Sequence, residues 1–300
     1  MTTAELRAAF LVQGLFVAGE AAVRCFDLDR VVLGGVVPTR SPIPLPNPPE
    51  LAAGFFLERR ELGVVNVGGA GSVRVDGAAH PLGNRDGLYV GRGSREVVFA
   101  SADQAKPARF YLASYPAQAA YPTSRVAPAG AETVALGTQD GANRRVLRRY
   151  FHPDGVRTAQ LVMGVTDIEA GSVWNTMPVH THARRTEVYL YFDLPDDGFV
   201  IHLMGEPAET RHLVVREGEA VLSPGWSMHA GVGTGRYGFC WAMGGENQAF
   251  GDMQGVAPGA ETKSIEAWSC GMCRLWTRHR DETGPSGHGT SYHCGHRSVL

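Results

Sequence analysis

The chain has no apolar run approaching the roughly 18–20 residues that a membrane-spanning helix needs. Neither charge is in excess: 28 Lys and Arg stand against 30 Asp and Glu, a formal net charge of −2. That balance offers no bulk attraction to nucleic acid or to an anionic membrane. Cysteine is scarce. The five, Cys25, Cys240, Cys270, Cys273 and Cys294, are odd in number and lack framework spacing, so free thiols in a reducing compartment are expected. Helical periodicity is nearly missing, with residues 4–13 the best candidate. Residues 8–19 are apolar enough to imitate a secretion signal, but Glu5 and Gln13 interrupt the pattern and no basic segment or cleavage site frames it. Residues 1–20 therefore read as a packed N-terminal arm and the protein as cytoplasmic.

Glycine is abundant instead, at 38 of 300 residues. Beside short β-branched runs it implies tight turns between many strands. Strand-like runs recur at 31–33, 64–67, 73–75, 88–90 and 96–100, and again at 159–166, 187–192, 199–204, 211–215, 219–223 and 237–243. This is the spacing of antiparallel sandwiches and barrels. Six prolines within 38–49 exclude a central strand there, and Pro116, Pro122 and Pro128 mark a linker. The halves echo each other: Asp86–Glu96 overlays Glu219–His229, each an acidic residue, a short apolar strand, a Gly/Pro turn and a polar side chain. The expected fold is mostly β. Two tandem jelly-roll-like barrels at 21–120 and 156–257 are joined by a linker at 121–155 and preceded by the 1–20 arm. A tail at 258–300 holds three cysteines and four histidines without periodicity and reads as disordered. A metal knuckle from Cys270, Cys273, Cys294 and His296 is the weaker reading of that tail, because Cys-x-x-Cys lacks a second paired motif. Gly68-Gly69-Ala70-Gly71 has neither dinucleotide nor phosphate-loop spacing and reads as a turn.

One constellation carries chemistry. Histidines at i and i+2 share a face only on a strand, so His180-Thr181-His182 calls for one. Glu187, five positions on, has the wrong parity for the same strand. A turn at 183–186 lets it open the next strand and face back toward the imidazoles. His229, after the turn at Pro224-Gly225, completes the set. Three neutral imidazoles and a carboxylate suit Zn²⁺, Fe²⁺, Mn²⁺ or Ni²⁺, one ion per chain, and leave a Lewis acid with room for substrate oxygens. A lone His-x-His is more often an ordinary surface or core pair. Glu187 and the following Pro-x-x-x-x-His shift the balance to a metal site. His80, His152, His202 and His212 have no partner at ligand spacing and read as structural or exposed. Glu96 occupies the place of His229 in the first half, which is expected to be metal-free and to serve structure or oligomer formation.

His-x-His-x4-Glu followed by Pro-x-x-x-x-His resembles the two signature motifs of the cupin superfamily, with Trp226 where cupins usually carry glycine. Longer segments resemble the 5-keto-4-deoxyuronate isomerases (4-deoxy-L-threo-5-hexosulose-uronate ketol-isomerases). These are Phe56–Val64, Asn66–Gly71, Trp174–Pro178, Glu206–His212 and Gly245–Gln248. The likeness covers about residues 5–257. It implies a bacterial enzyme of pectin and uronate breakdown that makes 3-deoxy-D-glycero-2,5-hexodiulosonate, a zinc cupin assembling as a hexamer, whose zinc ligands match His180, His182, Glu187 and His229.

Such a reaction moves a proton between adjacent carbons, so a group beside the metal must carry it. Strand alternation puts Tyr189 and Tyr191 on the metal side, as proton carriers or as barrel lining, with Val188, Leu190 and Phe192 facing away. Glu246 is a further acid/base candidate. A substrate carboxylate asks for a guanidinium fork. Arg184 and Arg185, in the turn between ligands, are the best placed, with Arg59, Arg60 and Arg211 behind them. Two rival readings use the same ligands: a metal-dependent oxygenase, which would consume O₂, and a non-catalytic sugar-acid-binding protein. No DNA-binding motif accompanies the barrels.

Overall fold

The computed structural model describes residues 1–249 and 251–256. The expected disordered tail, the alternative metal knuckle, and Cys270, Cys273 and Cys294 fall outside them. Short strands and tight turns build four sheets with antiparallel ladders. None of the described helices is long and apolar enough to cross a membrane.

Each half is a pair of sheets facing one another across a core, rather than a closed barrel. In the first half a six-stranded sheet faces a four-stranded one. Between them lie Leu62, Val64, Leu88 and Leu112 from the larger sheet, with Val73 and Phe99 from the smaller. In the second half a seven-stranded sheet faces a five-stranded one. The two larger sheets then pack back to back, so that Tyr89, Tyr111 and Ala113 meet Met163, Val188, Leu190 and Cys240 in a third core. The molecule therefore has four layers. Strands of the two middle sheets are buried on both faces, so every residue of 60–66, 87–90 and 185–192 is buried.

The sequence echo is a structural repeat. Gly87–Val90 pairs with Arg60–Asn66 as Ala220–Ser223 pairs with Arg185–Phe192. Leu62 lies opposite Val90 and Glu187 lies opposite Ser223, so Leu62 stands in the first half where Glu187 stands in the second. Leu62 is fully buried in apolar surroundings, and this half is filled with hydrocarbon at the place where the other holds a carboxylate.

Three segments do more than their sequences advertise. Thr2 and Glu5 form a capping box that starts the helix Thr3–Phe10. The chain then extends, and Leu11–Val12 pairs with Ala220–Ser223, so the N-terminal arm becomes an edge of the second half. The 121–155 segment carries strands of its own: Ser124–Val126 extends the first half, while Glu132–Leu136 and Arg145–Phe151 extend the second. Within the proline-rich stretch, Ile43–Pro44 pairs briefly at the edge of the four-stranded sheet, a position that tolerates a missing donor.

One carboxylate ties the halves together. Glu61, fully buried, accepts the backbone N–H groups of Ala159 (2.6 Å), Gln160 (2.8 Å) and Leu161 (2.7 Å) and the Tyr89 hydroxyl (2.8 Å). Removing it strands several buried donors, each costing about 1–3 kcal/mol. Glu61→Ala is expected to destabilise the fold by roughly 3 kcal/mol or more, and Glu61→Gln by less; denaturant midpoints of the two variants against the parent check this.

Candidate metal centre

The four predicted ligands arrive from three strands and a turn. His180 lies near the end of Trp174–Thr181, His182 just beyond it, Glu187 on Arg185–Phe192 and His229 on Met228–Gly233. Residues 183–184 form the turn between the first two strands, as the parity of Glu187 requires. His180 and His229 face each other across the ladder. On the same pair of strands Asn175 lies opposite Gly231, so one strand spends five residues where its partner spends two. The excess bows Thr176–Val179 out of the sheet and over the cavity, with Pro178 placed where no ladder donor is needed.

Ligand atoms of the four residues lie within 4.8 Å of one another. His182 Nε2 is 2.8 Å and His229 Nε2 3.2 Å from Glu187 Oε2, and His180 Nε2 is 3.1 Å from His229 Nε2. Their far sides explain the convergence. His182 Nδ1 lies 3.1 Å from the Asp252 carbonyl oxygen and 3.3 Å from Arg185 Nη2. His229 Nδ1 pairs with the Ser223 hydroxyl at 3.2 Å. With their far sides engaged, both rings turn Nε2 toward the Glu187 carboxylate, where bare lone pairs would repel. A cation resolves that repulsion, so the donor set fits a divalent metal. Electrostatics agree. Burial pulls the pKa of His180 down to about 3, helped by charge on His229. Burial works to raise the Glu187 carboxyl, but His229 and His182 outweigh it and hold it well below the usual carboxylate range. The site thus favours a neutral His180 imidazole and an ionised Glu187 carboxylate, the forms that bind metal.

Neighbouring segments hold the ligands in place. Asp29, from the first half, accepts from the Thr186 backbone N–H (2.8 Å) and also from its hydroxyl, fixing the start of the Glu187 strand. Asp252 is itself held by Asn247 at 2.6 Å, and its carbonyl accepts from Arg185 at 3.2 Å. The glycine expected at residue 226 is instead needed at 225. A Cβ on Gly225 would lie 2.6 Å from the His182 carbonyl oxygen, whereas Trp226 points outward and packs edge-on against Phe10 at 6.1 Å.

The metal cluster forms part of the wall of a cavity of about 430 Å³. Apolar side chains make up much of the rest, including Leu136, Leu147, Met177, Phe239, Trp241 and Met243. Tyr189 lines it, with its ring 5.2 Å from that of His229. Burial, then the Glu187 charge, pushes the Tyr189 phenol well above its ordinary pKa, so it is a proton donor at neutral pH. Tyr191 points to the same side but lies deeper, outside the cavity wall, with its hydroxyl 2.8 Å from His202 Nδ1. Glu246 is exposed and reaches the site region only through its backbone N–H, bonded to the Arg184 carbonyl.

None of the five sequence-selected arginines lines the cavity. Arg184 is 58% exposed, near Asp252. Arg185 is buried and props the Asp252 carbonyl. Arg60 is buried in the first half on Ser114 and the Arg30 carbonyl, and burial lowers its pKa to about 10. Arg59 and Arg211 are exposed beside Glu58 and Glu209. Two residues passed over in the sequence stand closer to the site. His202, fully buried, has an unpartnered Nε2 and a ring 5.5 Å from that of Tyr189. Arg145 lines the cavity itself. His202 shows no pairing signal in sequence, and Arg145 sits in a segment expected to be a linker.

Four β-layers with, among the described residues, one His₃Glu cluster that could hold a metal ion define a cupin-like protein. More narrowly, the chain belongs to the KduI/IolB family, whose model matches residues 48–254. A 4-deoxy-L-threo-5-hexosulose-uronate ketol-isomerase of Kineococcus radiotolerans is 56% identical over 88% of this chain and 95% of its own. One from Opitutus terrae is 55% identical over 84% of this chain and 92% of its own. Among solved structures, an IolB-like protein of Salmonella typhimurium matches with a TM-score of 0.67 at 15% identity, over 82% of this chain and 96% of that one; at that identity the likeness concerns the fold.

His182→Ala and His229→Ala are expected to abolish stoichiometric metal binding. Ser223→Ala should weaken it about 10–100-fold, as read by competition with a metal-binding dye.

Proposed function

We propose that this protein is a zinc-dependent ketol-isomerase that converts 4-deoxy-L-threo-5-hexosulose uronate to 3-deoxy-D-glycero-2,5-hexodiulosonate in pectin and uronate breakdown. The observation that carries the reading is the His180, His182, Glu187 and His229 cluster, the first three of which line a substrate-sized cavity, in a chain 56% identical to a protein of that name. The substrate is a small sugar acid with an aldehyde at C1, a hydroxyl at C2 and a carboxylate at C6.

The net change moves one hydrogen from C2 to C1 and one proton from the C2 oxygen to the C1 oxygen. A divalent ion held by the four ligands supplies a Lewis acid that polarises the reacting carbonyl and acidifies the neighbouring C–H. Around it the chain's own groups do three things. The apolar wall of Leu147, Phe239, Trp241 and Met243 excludes water and strengthens every charge interaction at the reacting carbons. Tyr189, the one phenol lining the cavity, rests protonated, gives its proton to the C1 oxygen and takes up the C2 hydroxyl proton, while the proton leaving C2 passes to solvent-exchangeable groups and one is returned at C1. Its ring position is set by the strand that also carries Glu187, so ligand and proton carrier cannot shift independently. Tyr191, tied to His202, supports Tyr189 from below, and their rings stack at 6.2 Å.

Incubating metal-loaded protein with the keto-uronate in D₂O is expected to yield the hexodiulosonate with deuterium on the carbon that was the substrate's aldehyde, at the same rate under argon as in air. Failure to convert the substrate, or a rate that depends on O₂, overturns the assignment. Tyr189→Phe should lower kcat by about 10²–10⁴-fold while metal content, measured by elemental analysis, stays unchanged.

A further inference from the structure

The cavity wall contains one arginine, and it is none of those beside the metal. Arg145 opens the strand Arg145–Phe151, near the edge of the seven-stranded sheet. Alternation on that strand sends Arg145 and Leu147 into the cavity together. From Arg145 the ladder runs through Val162–Ile168 and Gly238–Gly245 to the strand of Glu187, which is three steps, or roughly 14 Å of backbone at the usual strand spacing. In register it is also offset. Arg145 is level with Ile168, whose neighbour Asp167 pairs with Gly238 and so with Phe192, the opposite end of the Glu187 strand. The metal cluster and Arg145 thus sit at opposite ends of one cavity, with Tyr189 between them in its wall.

The guanidinium is under-used by the protein. Its hydrogen bond among the described residues is Nη1 to the Asn143 carbonyl at 2.8 Å, which leaves donors on Nε and Nη2. Glu187, committed to the histidines, is the single carboxylate lining the cavity among the described residues. A half-buried cation in a mostly apolar cavity, without an acidic partner, is a receptor for an anion.

We propose that Arg145 binds the C6 carboxylate of the sugar acid and thereby places the C1–C2 end of the chain at the metal cluster. The assignment rests on the ketol-isomerase reading above and adds to it the group that makes the site select acids. It follows from the connectivity of the substrate. The reacting carbons and the carboxylate are opposite ends of a six-carbon chain, so the carboxylate receptor has to stand away from the metal. Arg184 and Arg185, next to the ligands, would meet the wrong end. Charge-assisted hydrogen bonds to one anion are worth a factor of roughly 10–100 in affinity, enough to discriminate a sugar acid from its neutral counterpart. Arg145 is a binding and positioning residue and takes no part in proton transfer.

The test uses metal-loaded full-length protein and its Arg145→Gln and Arg145→Lys variants. D-gluconate and D-glucitol, an acyclic six-carbon acid and its neutral counterpart, are titrated calorimetrically, and keto-uronate turnover is measured alongside. Gluconate affinity is expected to fall about 10–100-fold in Arg145→Gln and less in Arg145→Lys, with glucitol affinity changed less than about threefold. KM for the keto-uronate should rise by a similar factor, with kcat the less affected of the two. Equal losses for gluconate and glucitol, or lost metal stoichiometry, would mark a structural role and overturn the inference. So would an unchanged KM in a variant that still isomerises. Arg145-dependent gluconate binding without any turnover in the parent protein would leave the anchor standing and sink the isomerase reading instead.

Discussion

The strand Arg185–Phe192 is buried on both faces, and its two-residue alternation divides its side chains between two environments that cannot be exchanged. Glu187 and Tyr189 face the metal cavity and Tyr191 the interior beneath it, while Val188, Leu190 and Phe192 fill the core between the halves. A slip of one residue would put a carboxylate into hydrocarbon and leave the histidines without an anion. The register is therefore fixed from both sides at once. Asp29 on Thr186 pins the strand's start, and Ser223 opposite Glu187 pins its neighbour while orienting His229.

The same constraint explains the asymmetry of the two halves. Both repeat one strand order, and both contribute a large sheet to the shared core. At the position of Glu187 the first half has Leu62, and its interior is closed with hydrocarbon. What it supplies instead is a rigid back for the second half, bound by Glu61 to the backbone at 159–161 and by Asp29 to Thr186. Chemistry in one half therefore depends on a carboxylate anchored in the other. The arginine cavity wall has a similar logic. Arg145 belongs to the strand that corresponds to the edge strand Ala21–Cys25 of the first half, and in the second half Glu132–Leu136 is added outside it.

Much of this was legible in the residues. The i, i+2 histidines, the wrong parity of Glu187 and the echo of Asp86–Glu96 in Glu219–His229 all encode local geometry, because a strand's period is two and a turn consumes a fixed number of residues. Facing directions on 187–192 followed from that period alone. Arg184 and Arg185 misled for the same reason: closeness in sequence to a ligand says nothing about which side of a turn faces a cavity. Arg185 ends up beneath the Asp252 carbonyl and Arg184 in solvent. The stretch 121–155 looked like a linker because edge strands carry weak alternation and here sit among prolines.

By itself, then, the sequence determined the strand-rich architecture, its internal repeat and the membership of the His180, His182, Glu187 and His229 cluster, all of which rest on short-range periodicities that each segment carries alone. Tertiary structure decided which side chains share the cavity with those ligands. It set Tyr189 in the wall and Tyr191 below it, left Glu246 outside, and brought Arg145 to the far end across three strands. Those choices depend on how sheets pair, twist and stack, and no spacing along the chain records which distant strands become neighbours.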